Sequence, residues 1–82
     1  MKVQVLFFGA TAEAVGKREF EFSLDENINA DKARAEILEV FPSLRKNFGN
    51  SLLLAVNQEY ANGDEIINNG DELAIFTAVS GG

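Results

Sequence analysis

The chain has 82 residues, enough for one small domain and a single core. It contains no Cys and no His, which removes disulfides, thiolate metal sites and the most common general base, and argues against a self-contained hydrolase. A net charge of −6 argues against nucleic acid and anionic membrane surfaces, and suits either a basic protein partner or simple solubility.

Val3, Val5 and Phe7 alternate with Lys2, Gln4 and Leu6, which predicts a strand that Gly9 breaks. Residues 10–17 predict a loop or a short helical turn closing on Gly16. The next strand shows the sharpest alternation. Phe20, Phe22 and Leu24 share one face, and Glu19, Glu21, Ser23 and Asp25 the other, as in an antiparallel hairpin with one wet side. A helix follows, with Asn29 as its N-cap and Asp31 in the first turn, where negative charge suits the helix dipole. Its apolar stripe runs through Ala30, Ala33, Ile37 and Val40 or Phe41. Pro42 predicts the stop, because the residue before a proline is pushed out of the helical region, and 43–50 reads as connector.

Leu52 to Val56 predicts a further strand, turned by Asn57 and Gln58 towards a short Glu59-Tyr60 segment. The stretches NGDEI (62–66) and NGDEL (69–73) read as two Asn-Gly-Asp turns rather than as a repeat. The last strand, Glu72 to Ala78, puts Leu73 and Ile75 on one side and Ala74 and Phe76 on the other. This order is that of an α+β ubiquitin-like β-grasp. It predicts a mixed sheet of four to five strands with one main helix across it, and the helix leading to a parallel neighbour of the hairpin. The domain is expected over 1–78, followed by a flexible tail at 79–82. The longest apolar runs are too short to span a bilayer, and the N-terminus lacks a signal-peptide pattern, so a cytoplasmic protein is expected.

The chain finishes Val79-Ser80-Gly81-Gly82. Glycine adds nothing to a core and loses more backbone freedom on ordering than any other residue. One reading is a frayed end. The other makes the bare backbone the working part: four extended residues reach at most about 13–14 Å, into a slot that admits only backbone. The tip then presents an α-carboxylate for an external enzyme to activate. The residues alone leave both readings open.

Five stretches, in order, carry a resemblance: VLFFG (5–9), FPSL (41–44), AVNQEY (55–60), GDELAIF (70–76) and VSGG (79–82). Together they resemble the small subunits of molybdopterin synthase, a family of ubiquitin-like sulfur carriers, over essentially the whole chain. The resemblance implies that an ATP-dependent adenylating enzyme converts the Gly82 carboxylate to an acyl-adenylate. Sulfur from a donor protein then leaves a thiocarboxylate, and the tail delivers it inside the large catalytic subunit to a cyclic pyranopterin precursor. It also implies Gly82 as the reacting residue, with Gly81, Ser80, Val79 and Phe76 meeting the partner. The only cofactor-like group is the C-terminal thiocarboxylate or acyl-adenylate; no metal, nucleic acid or membrane is expected. A chain without Cys fits this chemistry, since the sulfur must ride on the C-terminal carbonyl.

Two places depart from the family pattern. Thr77 and Ala78 stand where prolines are usual, which predicts a more mobile tail root and a larger ordering cost on binding. Thr11-Ala12-Glu13 stands where many members carry an Arg-Glu pair, so no role for that arginine transfers. Phe76 reads either as an exposed anchor for the large subunit or as core. The rival functions are the sulfur carrier of thiamine biosynthesis, a ubiquitin-like modifier joined through Gly82 to lysines of target proteins, and a binding module with an inert tail.

Overall fold

In the computed structural model, which describes residues 1–77, the first alternating stretch forms β1 (Lys2–Phe7), with Val3, Val5 and Phe7 buried. Ala78 and the expected tail, Val79 to Gly82, lie outside the described residues. Helix α1 (Ala10–Val15) follows and closes on Gly16, whose left-handed φ of 81° suits a residue without Cβ. Strand β2 (Glu19–Ser23) returns antiparallel to β1, with Val3 opposite Phe22 and Val5 opposite Phe20.

The main helix, α2 (Ala30–Val40), begins where the Asn29 side chain accepts the Lys32 N–H at 2.9 Å. A helix start leaves four such donors unpaired. Two more are taken by the turn at 61–67: Ala30 N–H donates to the Glu65 carbonyl and Asp31 N–H to the Gly63 carbonyl. That turn is itself held by the Glu65 carboxylate, which accepts the N–H groups of Asn62 (2.6 Å) and Gly63 (2.8 Å). The second Asn-Gly-Asp stretch is built differently. There the Asp71 carboxylate accepts the Asn68 N–H, and Gly70 N–H donates to the Lys2 carbonyl. The likeness of the two stretches is one of turn residues, not of a repeated unit.

α2 ends just before Pro42, as expected, and the sequence left Val40 or Phe41 as the end of its stripe. Its stripe finishes on Phe41, not Val40, which is 52% exposed. Phe41 stands edge-on to Phe7 and Phe20, with ring centroids at 5.3 and 5.4 Å. Leu38 also joins the core, beside Ala30, Ala33 and Ile37. Pro42 ends α2 but does not end helical structure. It opens a new helix, α3 (Pro42–Phe48), at the position where a missing N–H costs nothing. The expected connector at 43–50 is therefore mostly α3, whose Leu44 is fully buried, followed by a 3-10 turn at Gly49–Ser51.

Strands β3 (Leu52–Val56), β4 (Glu59–Tyr60) and β5 (Glu72–Thr77) complete a five-stranded sheet in the order β2-β1-β5-β3-β4. β5 is parallel to β1 and antiparallel to β3, so the last strand in sequence is the middle strand in space. β3 runs parallel to β2 but with two strands between them, and the parallel neighbours are β1 and β5 rather than the strands flanking the helix. One face of the sheet, including Val5, Phe7, Leu73 and Ile75, packs with Ile37 of α2 and Leu44 of α3 to form the core. This is the expected β-grasp, with two short helices added.

Phe41→Ala should destabilise the fold by about 2–3 kcal/mol and Val40→Ala by less than about 0.5, read from denaturant midpoints; equal effects would contradict a stripe that ends on Phe41. The N–H groups of Asn62 and Gly63 hold the Glu65 carboxyl below the usual carboxylate range. A carboxyl lowered by folding stabilises above its unfolded pKa and loses that contribution as pH falls through the folded value. The gap in Tm between wild type and Glu65→Gln should thus be widest near neutral pH and close in acid. Melting curves across pH showing a constant gap would contradict it.

Candidate functional site

The open face of the sheet follows from register, since paired residues point the same way. Leu6 pairs with Ala74, Ala74 with Ala55, and Ala55 with Tyr60, which sets one row across four strands. The adjoining row pairs Leu53 with Phe76. Two alanines at the centre of this face leave a depression, and larger side chains rim it. Phe8, Tyr60 and Phe76 line a groove of about 540 Å³ with Ala55 and Ala74 as its floor. Tyr60 is 75% exposed and Phe8 53%, whereas both alanines are nearly covered.

The hairpin between β3 and β4 positions Tyr60. Asn57 and Gln58 both take positive φ (49° and 72°), the paired conformation that a two-residue hairpin turn needs. The Asn57 side chain braces the turn against β5, donating to the Asp71 carboxylate and accepting the Glu72 N–H, each at 3.0 Å. Tyr60 then meets Phe76 with ring centroids 5.6 Å apart and planes tilted by 47°. Phe8 comes from the first residue past β1, beside Gly9 at φ 56°.

One end of the groove carries Gln58 and Glu72, and the other carries Gly9, Ala10 and Thr77. Among the described residues Glu72 is its sole charged lining residue. On the far side of Phe8 a second depression, about 630 Å³, holds Glu13, Lys17, Arg18 and Glu19. Lys17 there lies over the Phe20 ring, 4.7 Å from its centroid. Among the described residues no three Asp or Glu side chains gather as metal ligands, and no helix is long and apolar enough to cross a membrane. The described lining of the groove holds one carboxylate, Glu72, one amide, Gln58, and the hydroxyls of Tyr60 and Thr77, and is otherwise apolar. What it offers is an apolar, aromatic-rimmed seat beside the point where β5 ends.

Of the residues singled out from sequence, Phe76 is placed on this open face, half-buried, opposite to the fully buried Leu73 and Ile75. Val79, Ser80, Gly81 and Gly82 lie outside the described residues. Sequence reading did not single out Phe8, Tyr60 or the two alanines. The signal for Tyr60 was available: it is a lone aromatic just past a turn, in a segment too short to bury it. Nothing in the sequence marks Ala55 and Ala74 as a floor, because that depends on cross-strand register.

The chain matches the ThiS family over residues 5–82. It is 39% identical over 84 residues to the molybdopterin synthase sulfur carrier subunit of Caenorhabditis elegans, covering 100% of this chain and 99% of that one. The crystal structure of SAMP1 from Haloferax volcanii matches with a TM-score of 0.86 at 27% identity, covering 100% of both chains. A chain in the complex of subunits 1 and 2 of the molybdopterin-converting factor from Helicobacter pylori matches with a TM-score of 0.70 at 25% identity, again over 100% of both. By this full-length likeness in sequence and fold, the chain belongs to the ThiS family and to the molybdopterin synthase sulfur carrier subunits.

Proposed function

We propose that this chain carries sulfur for a molybdopterin synthase on its C-terminal carboxylate. The observation that carries the reading is a juxtaposition: an apolar seat on the sheet face, and the strand that forms part of it ending at Thr77, five residues before Gly82 in the sequence. In the first step an oxygen of the Gly82 carboxylate attacks the α-phosphorus of ATP within an adenylating enzyme. Pyrophosphate leaves and an acyl-adenylate remains. The terminal sulfur of a donor protein's persulfide then attacks the acyl carbon and AMP departs. A second thiol, which this Cys-free chain does not supply, attacks the donor's inner sulfur. The S–S bond breaks, the donor leaves as a disulfide and a thiocarboxylate remains on Gly82. In the large catalytic subunit the thiocarboxylate sulfur bonds to a carbon of the cyclic pyranopterin precursor as a carbon–oxygen bond there breaks. Water cleaves the resulting thioester, which restores the carboxylate and leaves the sulfur on the precursor. The carrier supplies no acid or base of its own, in keeping with a chain lacking His and Cys.

Support for a large-subunit partner comes from the Helicobacter pylori relative, which is found in complex with subunit 2 of its converting factor. The groove suits that role, since aromatic residues dominate the energetics of interface centres. A net charge of −6 favours encounter with a basic surface around the partner's slot. The setting we propose is the cytoplasm.

The likeness to SAMP1, of a group named small archaeal modifier proteins, favours a second reading. There the acyl-adenylate of Gly82 passes on to a lysine amine of a target protein, releasing AMP and forming an amide. Ladders of conjugates on denaturing gels of cells producing the chain, lost on removal of Gly82, would favour it.

Phe76→Ala should weaken binding to the large subunit by about tenfold or more while the melting temperature stays nearly constant. A large fall in melting temperature would instead make Phe76 core. A chain extended by one residue after Gly82, and shown by mass to remain extended, should fold normally yet support no molybdenum-cofactor synthesis. Retained synthesis would mean that the carboxylate is not the reacting group.

A further inference from the structure

Among the described residues Thr11 is the sole buried polar one, and its hydroxyl hydrogen bond to Ile75 spans 64 residues of chain. The parallel ladder between β1 and β5 explains its place. Gln4 N–H donates to the Asp71 carbonyl at 3.0 Å, and rungs recur every second residue. The rung two steps on falls to Phe8 N–H and the Ile75 carbonyl. It is not made directly. Phe8 N–H donates to the Thr11 hydroxyl oxygen at 3.0 Å, and that hydroxyl reaches the Ile75 carbonyl at 2.8 Å.

The hydroxyl also lies 2.9 Å from the Phe8 carbonyl, but it has one proton to give. The Phe8 carbonyl already accepts the Thr11 N–H at 3.2 Å, so the hydroxyl proton belongs to Ile75, whose carbonyl sits in a buried setting. A side-chain oxygen from α1 is thus spliced into the last rung of the sheet. The end of β1 stands off from β5 by one hydroxyl. Phe8, Gly9 and Ala10 in this way come to line the groove beside Phe76 and Thr77.

We propose that Thr11 is a positioning residue for the C-terminal reaction: its hydroxyl-bridged rung holds Phe76 and Thr77 at the end of β5, the anchor from which the sequence continues to Gly82. The inference rests on the carrier reading above, since it concerns how Gly82 is presented.

The test uses the full chain with its ATP-dependent adenylating partner. Thr11→Val keeps the side-chain shape and removes the hydroxyl, Thr11→Ser keeps the hydroxyl, and Ile37→Val perturbs the core elsewhere. Thr11→Val should lower kcat for acyl-adenylate formation by about tenfold with KM for the carrier changed less than about twofold, because displacing a reacting group by roughly 1 Å has effects of that order. Thr11→Ser and Ile37→Val should both stay within about twofold of wild type, and amide order parameters at Phe76 and Thr77 should fall in Thr11→Val alone. Should Thr11→Val not fold, Thr11→Ala at low temperature carries the same expectation. A wild-type kcat in the hydroxyl-free variant, or an equal loss in Ile37→Val, overturns the positioning role. A wild-type chain that the partner never adenylates defeats the carrier reading instead, and unchanged order parameters then still overturn the clamp.

Discussion

Backbone hydrogen bonding on both edges of β5 is the constraint on which the molecule depends. The strand pairs with β1 on one side and β3 on the other, and Leu73 and Ile75 are fully buried. With the last described strand at the centre of the sheet, the position of its end at Thr77 is fixed. That end cannot shift without breaking ladders on two sides, and each buried group left unpaired costs about 1–3 kcal/mol. A body that is already ordered leaves less to be fixed when a partner binds.

The two faces of the same strand divide the work. Residues 73 and 75 belong to the core, while 74 and 76 belong to the open face. On that face small residues lie in the middle and aromatic ones at the rim, so the surface is concave rather than flat. Exposed Phe8 and Tyr60 are a liability in a free protein, because apolar patches invite association. The acidic balance of the chain opposes that tendency by self-repulsion. The hydroxyl of Thr11 connects the two faces, closing the ladder from the buried side while letting Phe8 stand clear on the open one.

Much of this was legible in the residues. The strands around Val3, Phe22 and Leu54 alternate or run apolar, and Asn29 caps its helix as such a residue should. Pro42 misled because one residue serves two roles, ending one helix and opening the next, and single-sequence rules weight the first. Val40 and Phe41 both fit the stripe by spacing; the choice fell to the rings of Phe7 and Phe20, which only the folded packing brings near. Ladder position was the hardest to see. Thr11 reads as an ordinary residue in a short helix, and its importance arises from a partner 64 positions away. The same holds for Ala55 and Ala74, whose smallness gains meaning only in register.

Intact mass of the purified chain, after incubation with ATP, the adenylating enzyme and a sulfur source, addresses the central claim most directly. The account expects the chain to gain the mass of one oxygen-to-sulfur exchange, with fragmentation placing the change on Gly82. An unchanged mass after verified exposure to all three, or a sulfur located on any side chain, would contradict it.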